Sequence, residues 1–415
     1  MCVAPFIVTT INPQGNQAPC PTLGGDLWDF KDVPLKVRWS GPELVQFRED
    51  MLADKQLPVC VRCHAGEASG GYSFRKQLYK PLDDPEGVLT HLIGSTMTPD
   101  QIINTELYKD GPMQIVMKVN NVCNLRCRTC NSNDSVLFKI EGKHYQKKHG
   151  VTEYMYLNGP DATYWSDQQL KEIFDFSSNL RRLEFYGGEP LLDKQTPKLL
   201  KMFSDSGQSK KIALNISTNC TIRPDRSWAK MISKFENFNL SMSIDGIGPH
   251  FHYIRHPAKW DEVLDNINYF VSLRNKISNF YILPTITVSI YNIFYLPEIY
   301  QELKNITGID PHLNLVYNPN YYRINNLPDG VKNEVTKKLS PYSQFDELVN
   351  FINTERNEQQ WEMFKFWVNA KDEYRDEQFA HTFPEFTAII LKHDKLFPMQ
   401  TNFKNKIMFF IKKLI

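Results

Sequence analysis

The sequence predicts an α/β protein with a parallel sheet, because short β-rich runs alternate with longer amphipathic stretches from Met113 to about Asn318. The β-rich runs begin at Met113, Leu180, Lys211, Asn237, Tyr281 and His312. Helix candidates between them begin at Asp193, Asp225, Trp260 and Leu296, and the two aspartates are typical N-cap residues. Such strand and helix repeats form either an open doubly wound sheet or a partial barrel, and periodicity alone does not choose between them.

Two regions of different character flank this predicted core at residues 108–326. Residues 1–107 are punctuated by Pro and Gly and contain one helix candidate, GPELVQFREDMLADK, so we expect a loop-rich domain held together by metal. Residues 327–415 are rich in helical and aromatic segments and predict a helical C-terminal cap. Its last segment, NFKNKIMFFIKKLI, is basic and amphipathic, and we expect it to dock on the body rather than on a membrane.

Charge and composition limit which compartments and which partners we expect for this protein. The chain has 48 basic and 47 acidic side chains, so no bulk field favours nucleic acid or an anionic membrane. Its first residues lack a basic stretch before the apolar run, and every longer apolar run is interrupted well short of about 20 residues. We therefore expect a cytoplasmic protein in which the 8 cysteines bind metal rather than form disulfides.

Three cysteines lie directly after the first β-rich run, in the segment CNLRCRTC at Cys123, Cys127 and Cys130. Three thiolates on one tight loop can bind a [4Fe-4S] cluster and leave one iron with open coordination. A zinc site with a fourth ligand from elsewhere is the alternative. The spacing and the sequence Cys-Asn-Leu-Arg-Cys resemble those of the radical SAM superfamily. Many members have an aromatic residue where this chain has Thr129.

The resemblance implies a cofactor and a reaction. S-adenosylmethionine (SAM) binds the open iron in that superfamily, and an electron from the reduced cluster cleaves it to methionine and a 5'-deoxyadenosyl radical. An external one-electron donor such as a flavodoxin or a ferredoxin is then required. The resemblance also selects the partial (β/α)6 TIM-like barrel, whose active site lies at the C-terminal ends of the strands.

The second and third β-rich runs end in further family motifs. Gly187, Gly188, Glu189 and Pro190 resemble the Gly-Gly-Glu-Pro motif, which implies close approach to SAM and a carboxylate for its ammonium group. The alternative is an ordinary turn between strand and helix. In the next run, Ser217 and Asn219 resemble the residues that bind the ribose hydroxyls, and Cys220 replaces the usual glycine; a lone cysteine is more often an inert buried side chain.

The fourth and fifth runs add weaker matches. Ser243 and Asp245 with the later Arg255 resemble a Ser-x-Asp-Gly element, which implies that Arg255 binds the SAM carboxylate. An arginine in a surface salt bridge is the alternative. In the fifth run, Val288 and Asn292 fall where relatives contact adenine and the carboxylate.

Four other cysteines precede the core, at Cys2, Cys20, Cys60 and Cys63. Their spacing resembles the auxiliary-cluster module called the twitch domain, a shortened relative of the SPASM domain, which implies a second [4Fe-4S] cluster. The residues Glu67, Gly70, Ser73 and Arg75 strengthen the resemblance to twitch-containing radical SAM proteins. A structural zinc site with four thiolates is equally compatible with this ligand set.

We therefore expect a radical SAM enzyme that abstracts hydrogen from a peptide or protein side chain, because relatives with such modules often modify peptides. A small metabolite, sugar or nucleotide is the alternative substrate class. A zinc-stabilised binding module is the non-enzymatic alternative.

Overall fold

The computed structural model describes residues 2–23, 28–29, 33–68, 73–79, 107–151, 161–224 and 226–394. These residues contain one sheet with the strand order β3-β2-β1-β4-β5-β6-β7-β8-β9. The strands are β1 Val8–Ile11, β2 Asn16–Ala18, β3 Trp28–Asp29, β4 Gln114–Lys118, β5 Arg182–Tyr186, β6 Ala213–Thr218, β7 Asn237–Ser243, β8 Phe280–Val288 and β9 His312–Leu315.

The six predicted strands are β4 to β9, and they lie side by side in chain order with parallel pairing throughout. The prediction of an α/β fold with a parallel sheet is therefore confirmed. The four helix candidates form the helices Thr196–Ser206, Arg226–Ile232, Trp260–Arg274 and Leu296–Thr307. Strands in chain order, each followed by a helix, produce the strand and helix repeat of a barrel wall.

The predicted N-caps have a different outcome. Gln195 occupies the N-cap of the first of these helices, so the prediction for Asp193 is wrong by two residues. The Asp193 carboxylate still serves the helix start, because its Oδ2 accepts hydrogen bonds from the backbone N of Gln195 at 3.0 Å and of Thr196 at 2.6 Å. Asp225 lies outside the described residues.

The two faces of the parallel sheet differ in polarity. On one face Leu183 pairs with Leu214 and Leu214 with Phe238, and all three are buried against the surrounding helices. On the other face Glu184 pairs with Asn215 and Asn215 with Asn239. Because side chains alternate along a strand, this pattern leaves a polar concave face, away from the helices, on which a ligand can bind.

The N-terminal residues join this sheet, which differs from the loop-rich domain expected for them. Strand β1 pairs in parallel with β4, in the register Val8 with Gln114, and β2 and β3 add two antiparallel strands beyond it. The helix candidate of this region forms Pro42–Leu52. The backbone groups on the free edge of β4 explain the pairing, because an edge strand offers unpaired N–H and C=O groups.

The C-terminal region is helical as far as the structure describes it, with helices at Asp329–Leu339, Asp346–Ile352, Glu358–Arg375, Phe379–Thr382 and Pro384–His393. Aromatic rings attach it to the core, as in the stacked pair of Phe294 and Phe386 with centroids 5.4 Å apart. The predicted terminal segment NFKNKIMFFIKKLI lies outside the described residues. No helix in the described part of the chain is long and apolar enough to span a membrane.

The remaining helices lie in the N-terminal part and between the strands. They are Ala4–Ile7, Leu35–Trp39, Val61–Ala68, Phe74–Tyr79, Phe138–His149, Asp167–Asp175 and Gly248–Ile254.

Candidate active site

The three-cysteine loop follows β4 and is shaped by backbone hydrogen bonds. The N–H of Cys130 donates to the carbonyl of Cys127 at 3.0 Å, which closes a turn within the loop. The N–H groups of Arg126 and Arg128 donate to the carbonyls of His256 and Ile254 at 2.7 and 2.8 Å. The loop is therefore paired with the segment that follows β7.

Cys127 of this loop is buried, Cys123 and Cys130 are half-buried, and hydrogen-bond donors lie beside the thiols. Burial raises the pKa of Cys123 to about 12, and burial also raises the pKa values of Cys127 and Cys130. The N–H of Leu125 lies 3.4 Å from the Cys123 Sγ, and an Nη of Arg255 lies 3.9 Å from the Cys127 Sγ. Buried thiols become thiolates when a metal binds, and hydrogen bonds to the sulfurs tune an iron-sulfur cluster.

The donor set therefore has the chemistry of a cluster site. The three thiols also lie close enough to affect one another's pKa values, since Cys123 and Cys127 both raise the pKa of Cys130. No three His, Cys, Asp or Glu side chains in the described ranges are arranged as ligands of one metal ion. The fit to a cluster thus depends on three neighbouring thiols, their single loop and the hydrogen-bond donors beside them.

The two glycines after β5 bring that strand end onto the cysteine loop. Gly188 has φ +55°, and a Cβ atom there would lie 2.5 Å from the Val122 carbonyl oxygen and 2.7 Å from Oδ1 of Asn120. Gly187 has φ +79° and packs equally closely against Lys118. The two glycines therefore let this strand end approach the chain that leads into Cys123, and their approach to SAM stays a prediction.

Glu189 links the ends of two strands and is 1% exposed. Its Oε1 accepts a hydrogen bond from the Thr218 hydroxyl at 2.8 Å and one from the N–H of Leu191 at 3.1 Å, and its Oε2 accepts one from the N–H of Asn219 at 2.7 Å. Burial raises its pKa to about 7, against the opposing effect of these three donors. Pro190 then begins the 3-10 turn Pro190–Leu192.

The end of β6 lies beside the cysteine loop. The side-chain amide of Asn219 donates to Oδ1 of Asn124 at 3.0 Å and lies 3.7 Å from the Cys123 Sγ. Ser217 is exposed on the concave face. Cys220 is fully buried with φ +62°, a conformation that favours glycine, and this agrees with an inert buried cysteine in the place of the family's glycine.

Arg255 forms a buried ion pair that reaches the cysteine loop. Its Nη2 lies 2.8 Å from Oδ2 of Asp245, and the two residues are 9% and 1% exposed, so the surface salt-bridge interpretation is wrong. Burial opposes the charge of Arg255, yet Asp245 and the nearby thiols raise its pKa above the usual value. Its Nε is buried and has no hydrogen-bond partner within the described part of the chain. An unsatisfied buried donor of this kind suits an anionic ligand group.

The remaining predicted residues of β7 and β8 have mixed positions. Both amide hydrogens of Asn292 are used inside the chain, on the carbonyls of Asp245 at 3.0 Å and Thr287 at 2.9 Å. Asn292 therefore ties two strand ends together, and its contact with a cofactor stays a prediction. Ser243 is half-buried on the concave face, and Val288 is fully buried.

The structure brings the four N-terminal cysteines together. Burial raises the pKa of Cys2 to about 12, and Cys20, Cys60 and Cys63 each raise it further by their proximity. The hydroxyl oxygen of Thr22 lies 2.9 Å from the Cys20 Sγ and 3.8 Å from the Cys63 Sγ. Cysteines from three distant segments thus lie near one another, although within the described residues they are not arranged as ligands of one metal ion.

The twitch-like residues after this cysteine pair also interact. The Glu67 carboxylate accepts a hydrogen bond from the Ser73 hydroxyl at 2.5 Å and one from Nε of Arg75 at 3.0 Å. Burial raises the pKa of Cys60 to about 11, and Arg75 partly opposes this shift. Gly70 lies outside the described residues.

Sequence reasoning missed the residues that attach the cysteine loop to the C-terminal helices, above all Arg128 and Lys371. Nζ of Lys371 donates to the carbonyl of Arg128 at 2.8 Å, although the two residues are 243 positions apart. The position of Arg128 directly after a predicted ligand is the one signal that the sequence offered.

The family comparison matches residues 117–294 to the model described as the radical SAM superfamily. The match covers the region that carries the predicted motifs and supports a radical SAM domain there, which agrees with the prediction of an enzyme of this superfamily. A search of curated proteins found no match.

Solved structures show distant likeness. Native anSMEcpe with bound AdoMet has 18% identity and a TM-score of 0.41, over 59% of this chain and 63% of that chain. SuiB of Streptococcus suis bound to S-adenosylmethionine has 12% identity and a TM-score of 0.36, over 70% and 59%. SuiB bound to the precursor peptide SuiA has 12% identity and a TM-score of 0.36, over 92% and 74%.

Proposed function

We propose that this chain, which contains a radical SAM domain at residues 117–294, cleaves SAM reductively and removes a hydrogen atom from a peptide or protein side chain. Cys123, Cys127 and Cys130 would hold the [4Fe-4S] cluster, which, when SAM is bound to it, supplies the electron that generates a 5'-deoxyadenosyl radical. The observation that carries the proposal is the meeting of this loop with Glu189 and Arg255 at the C-terminal ends of the parallel strands.

The roles of the surrounding residues follow from their contacts. The unpartnered Nε of Arg255 offers a buried donor to the SAM carboxylate, and the ion pair with Asp245 fixes the plane of the guanidinium. Glu189 offers a buried carboxylate to the SAM ammonium group, and its three donors hold it in one orientation. Ser217 and Asn219 lie at the end of β6, where the ribose hydroxyls are expected.

The concave face supports a peptide as substrate. Many of its exposed and half-buried positions carry amide and hydroxyl side chains, and Leu283 and His312 lie among them; the amide and hydroxyl residues are Asn215, Ser217, Asn239, Ser241, Ser243, Thr285, Thr287 and Asn314. Two pairs of charged side chains on or beside this face neutralise each other, Arg182 with Glu184 and Lys118 with Asp134. A lining of neutral donors and acceptors suits the amides of a peptide better than the phosphate of a nucleotide.

The N-terminal cysteines would hold a second, auxiliary cluster in a twitch-like module. Cys2, Cys20 and Cys60 pack on a buried apolar group that also contacts Tyr186, the last residue of β5. A module at this position would lie near the end of β5, where it could relay electrons to the three-cysteine cluster. A four-thiolate zinc site remains the alternative occupant. Eight free cysteines suit a reducing compartment such as the cytoplasm, where a flavodoxin or a ferredoxin would supply electrons.

The test is anaerobic purification and reconstitution with iron and sulfide, followed by iron analysis and by assay of 5'-deoxyadenosine release from SAM with dithionite. Two clusters predict about eight irons per chain, and the three-cysteine cluster alone predicts about four.

The first variant to measure is Cys127→Ala. We expect it to abolish release of 5'-deoxyadenosine, because one of the three cluster ligands is lost. Cys220→Ala is the matched control, since it removes a buried thiol that is not a predicted ligand, and we expect it to retain iron and SAM cleavage. Retained cleavage in Cys127→Ala would refute the proposal.

A further inference from the structure

Arg128, directly after the second cysteine of the loop, is fully buried and extends toward the C-terminal helices. Its guanidinium lies over the ring of Tyr253 at 3.4 Å from the centroid, and its Nε donates to the Tyr253 carbonyl at 3.0 Å. Its Nη2 donates to Oδ1 of Asp372 at 2.5 Å and also to the Glu377 carboxylate. Two carboxylates of the C-terminal region thus hold one side chain of the cysteine loop.

Lys371 holds the backbone of the same residue. It is fully buried on the helix Glu358–Arg375, and its Nζ donates to the carbonyl of Arg128 at 2.8 Å and to the hydroxyl of Tyr322 at 2.7 Å. The adjacent residues Lys371 and Asp372 therefore bind the main chain and the side chain of Arg128 together. A lysine is costly to bury, so its place beside the loop indicates a specific requirement.

A second set of ion pairs holds the cysteine loop at Arg126. Arg126 lies 3.3 Å from Oε1 of Glu141 and 3.2 Å from Nε2 of His256. Glu141 also accepts hydrogen bonds from Arg375 of the helix Glu358–Arg375, at 2.8 and 3.0 Å. Nδ1 of His256 lies 2.6 Å from the Glu377 carboxylate, which joins this set to the first.

We propose that the helix Glu358–Arg375 is part of the cluster-binding apparatus, with Arg128 and Lys371 as positioning residues that hold the cysteine loop in its iron-binding shape. The inference rests on the proposed cluster at Cys123, Cys127 and Cys130. Asp372 and Glu377 already neutralise Arg128, so its role is to hold the loop in place rather than to supply charge to the filled site.

The test compares two buried lysines of one helix. Lys371→Met removes the hydrogen bonds to Arg128 and Tyr322 and keeps a side chain of similar length. Lys365→Met is the matched control, because Lys365 is 7% exposed on the same helix and pairs with Glu362 at 2.7 Å and Asp394 at 3.6 Å, whereas Lys371 holds the loop.

The measurement is the rate at which an iron chelator removes the EPR signal that changes on addition of SAM, in samples of the reconstituted full chain that are reduced with dithionite. This signal reports the cluster with an open iron, and the auxiliary cluster does not contribute to it. We expect loss to be about tenfold faster in Lys371→Met than in the wild type, because residues that orient metal ligands have effects of this size. Lys365→Met should match the wild type.

Arg128→Lys is a second test of the inference, in case Lys371→Met fails to fold. It keeps the charge but cannot bridge two carboxylates while covering the Tyr253 ring, so we expect faster cluster loss with an unchanged far-UV CD spectrum of the apo protein. Equal rates in wild type, Lys371→Met and Lys365→Met would overturn the inference, as would equal acceleration in both lysine variants. A wild-type chain that binds no iron would overturn the proposed function, and the inference with it.

Discussion

Substitution of Gly188 by alanine tests whether a glycine is required for the close packing of this strand end against the cysteine loop. Gly188 has φ +55°, and a new Cβ would lie 2.5 Å from the Val122 carbonyl oxygen, which already accepts a hydrogen bond from the Glu189 N–H at 2.9 Å. Gly207→Ala is the matched control, because Gly207 has φ +79° and no atom within 4 Å of its Cβ position.

The two variants share one energetic cost and differ in another. A left-handed backbone conformation costs a residue with a Cβ about 1–2 kcal/mol, and both variants lose this amount of stability. The overlap at Gly188 adds roughly 1–3 kcal/mol, because the backbone of Val122 has to move. Val122 directly precedes Cys123, so we expect Gly188→Ala to lose iron as well as stability.

The assay is urea unfolding of both apo variants and iron analysis after reconstitution. We expect Gly207→Ala to lose about 1–2 kcal/mol of unfolding free energy and to keep its iron. Gly188→Ala should lose roughly 2–5 kcal/mol and most of the iron at the three-cysteine site. A Gly188→Ala chain as stable as Gly207→Ala and fully loaded with iron would refute the reasoning.

Two further changes test the cofactor sites. Burial raises the pKa of Glu189 to about 7, so the carboxyl group is neutral below that pH and ionised above it. Because the neutral group no longer attracts the SAM ammonium, SAM affinity measured by calorimetry should fall by up to about tenfold per pH unit below 7. Glu189→Gln should remove this dependence, and an unchanged pH profile would exclude Glu189 as the partner of the ammonium group. Joint replacement of Cys60 and Cys63 by alanine should lower the iron content from about eight to about four per chain and leave SAM cleavage in place. Unchanged iron would instead indicate that these thiols bind zinc or no metal.

Local patterns in the sequence determined the parallel sheet and the position of the cysteine loop. The runs that begin at Leu180 and Asn237 alternate apolar and polar residues with the period of a strand, and the structure has β5 and β7 there. The three cysteines lie within eight residues of one another, so their common loop also follows from short-range sequence. Such features depend on neighbours along the chain, and a single sequence records them.

Only the tertiary structure decided which distant groups meet. The pairing of β1 with β4, the gathering of four N-terminal thiols, and the three donors on Glu189 join residues that no periodic pattern links. The contact between Arg128 and Lys371 is the extreme case, at 243 residues of separation. Burial of a charge forces it to find a partner, but any chain segment that packs against it can supply that partner, and packing is a property of the folded chain.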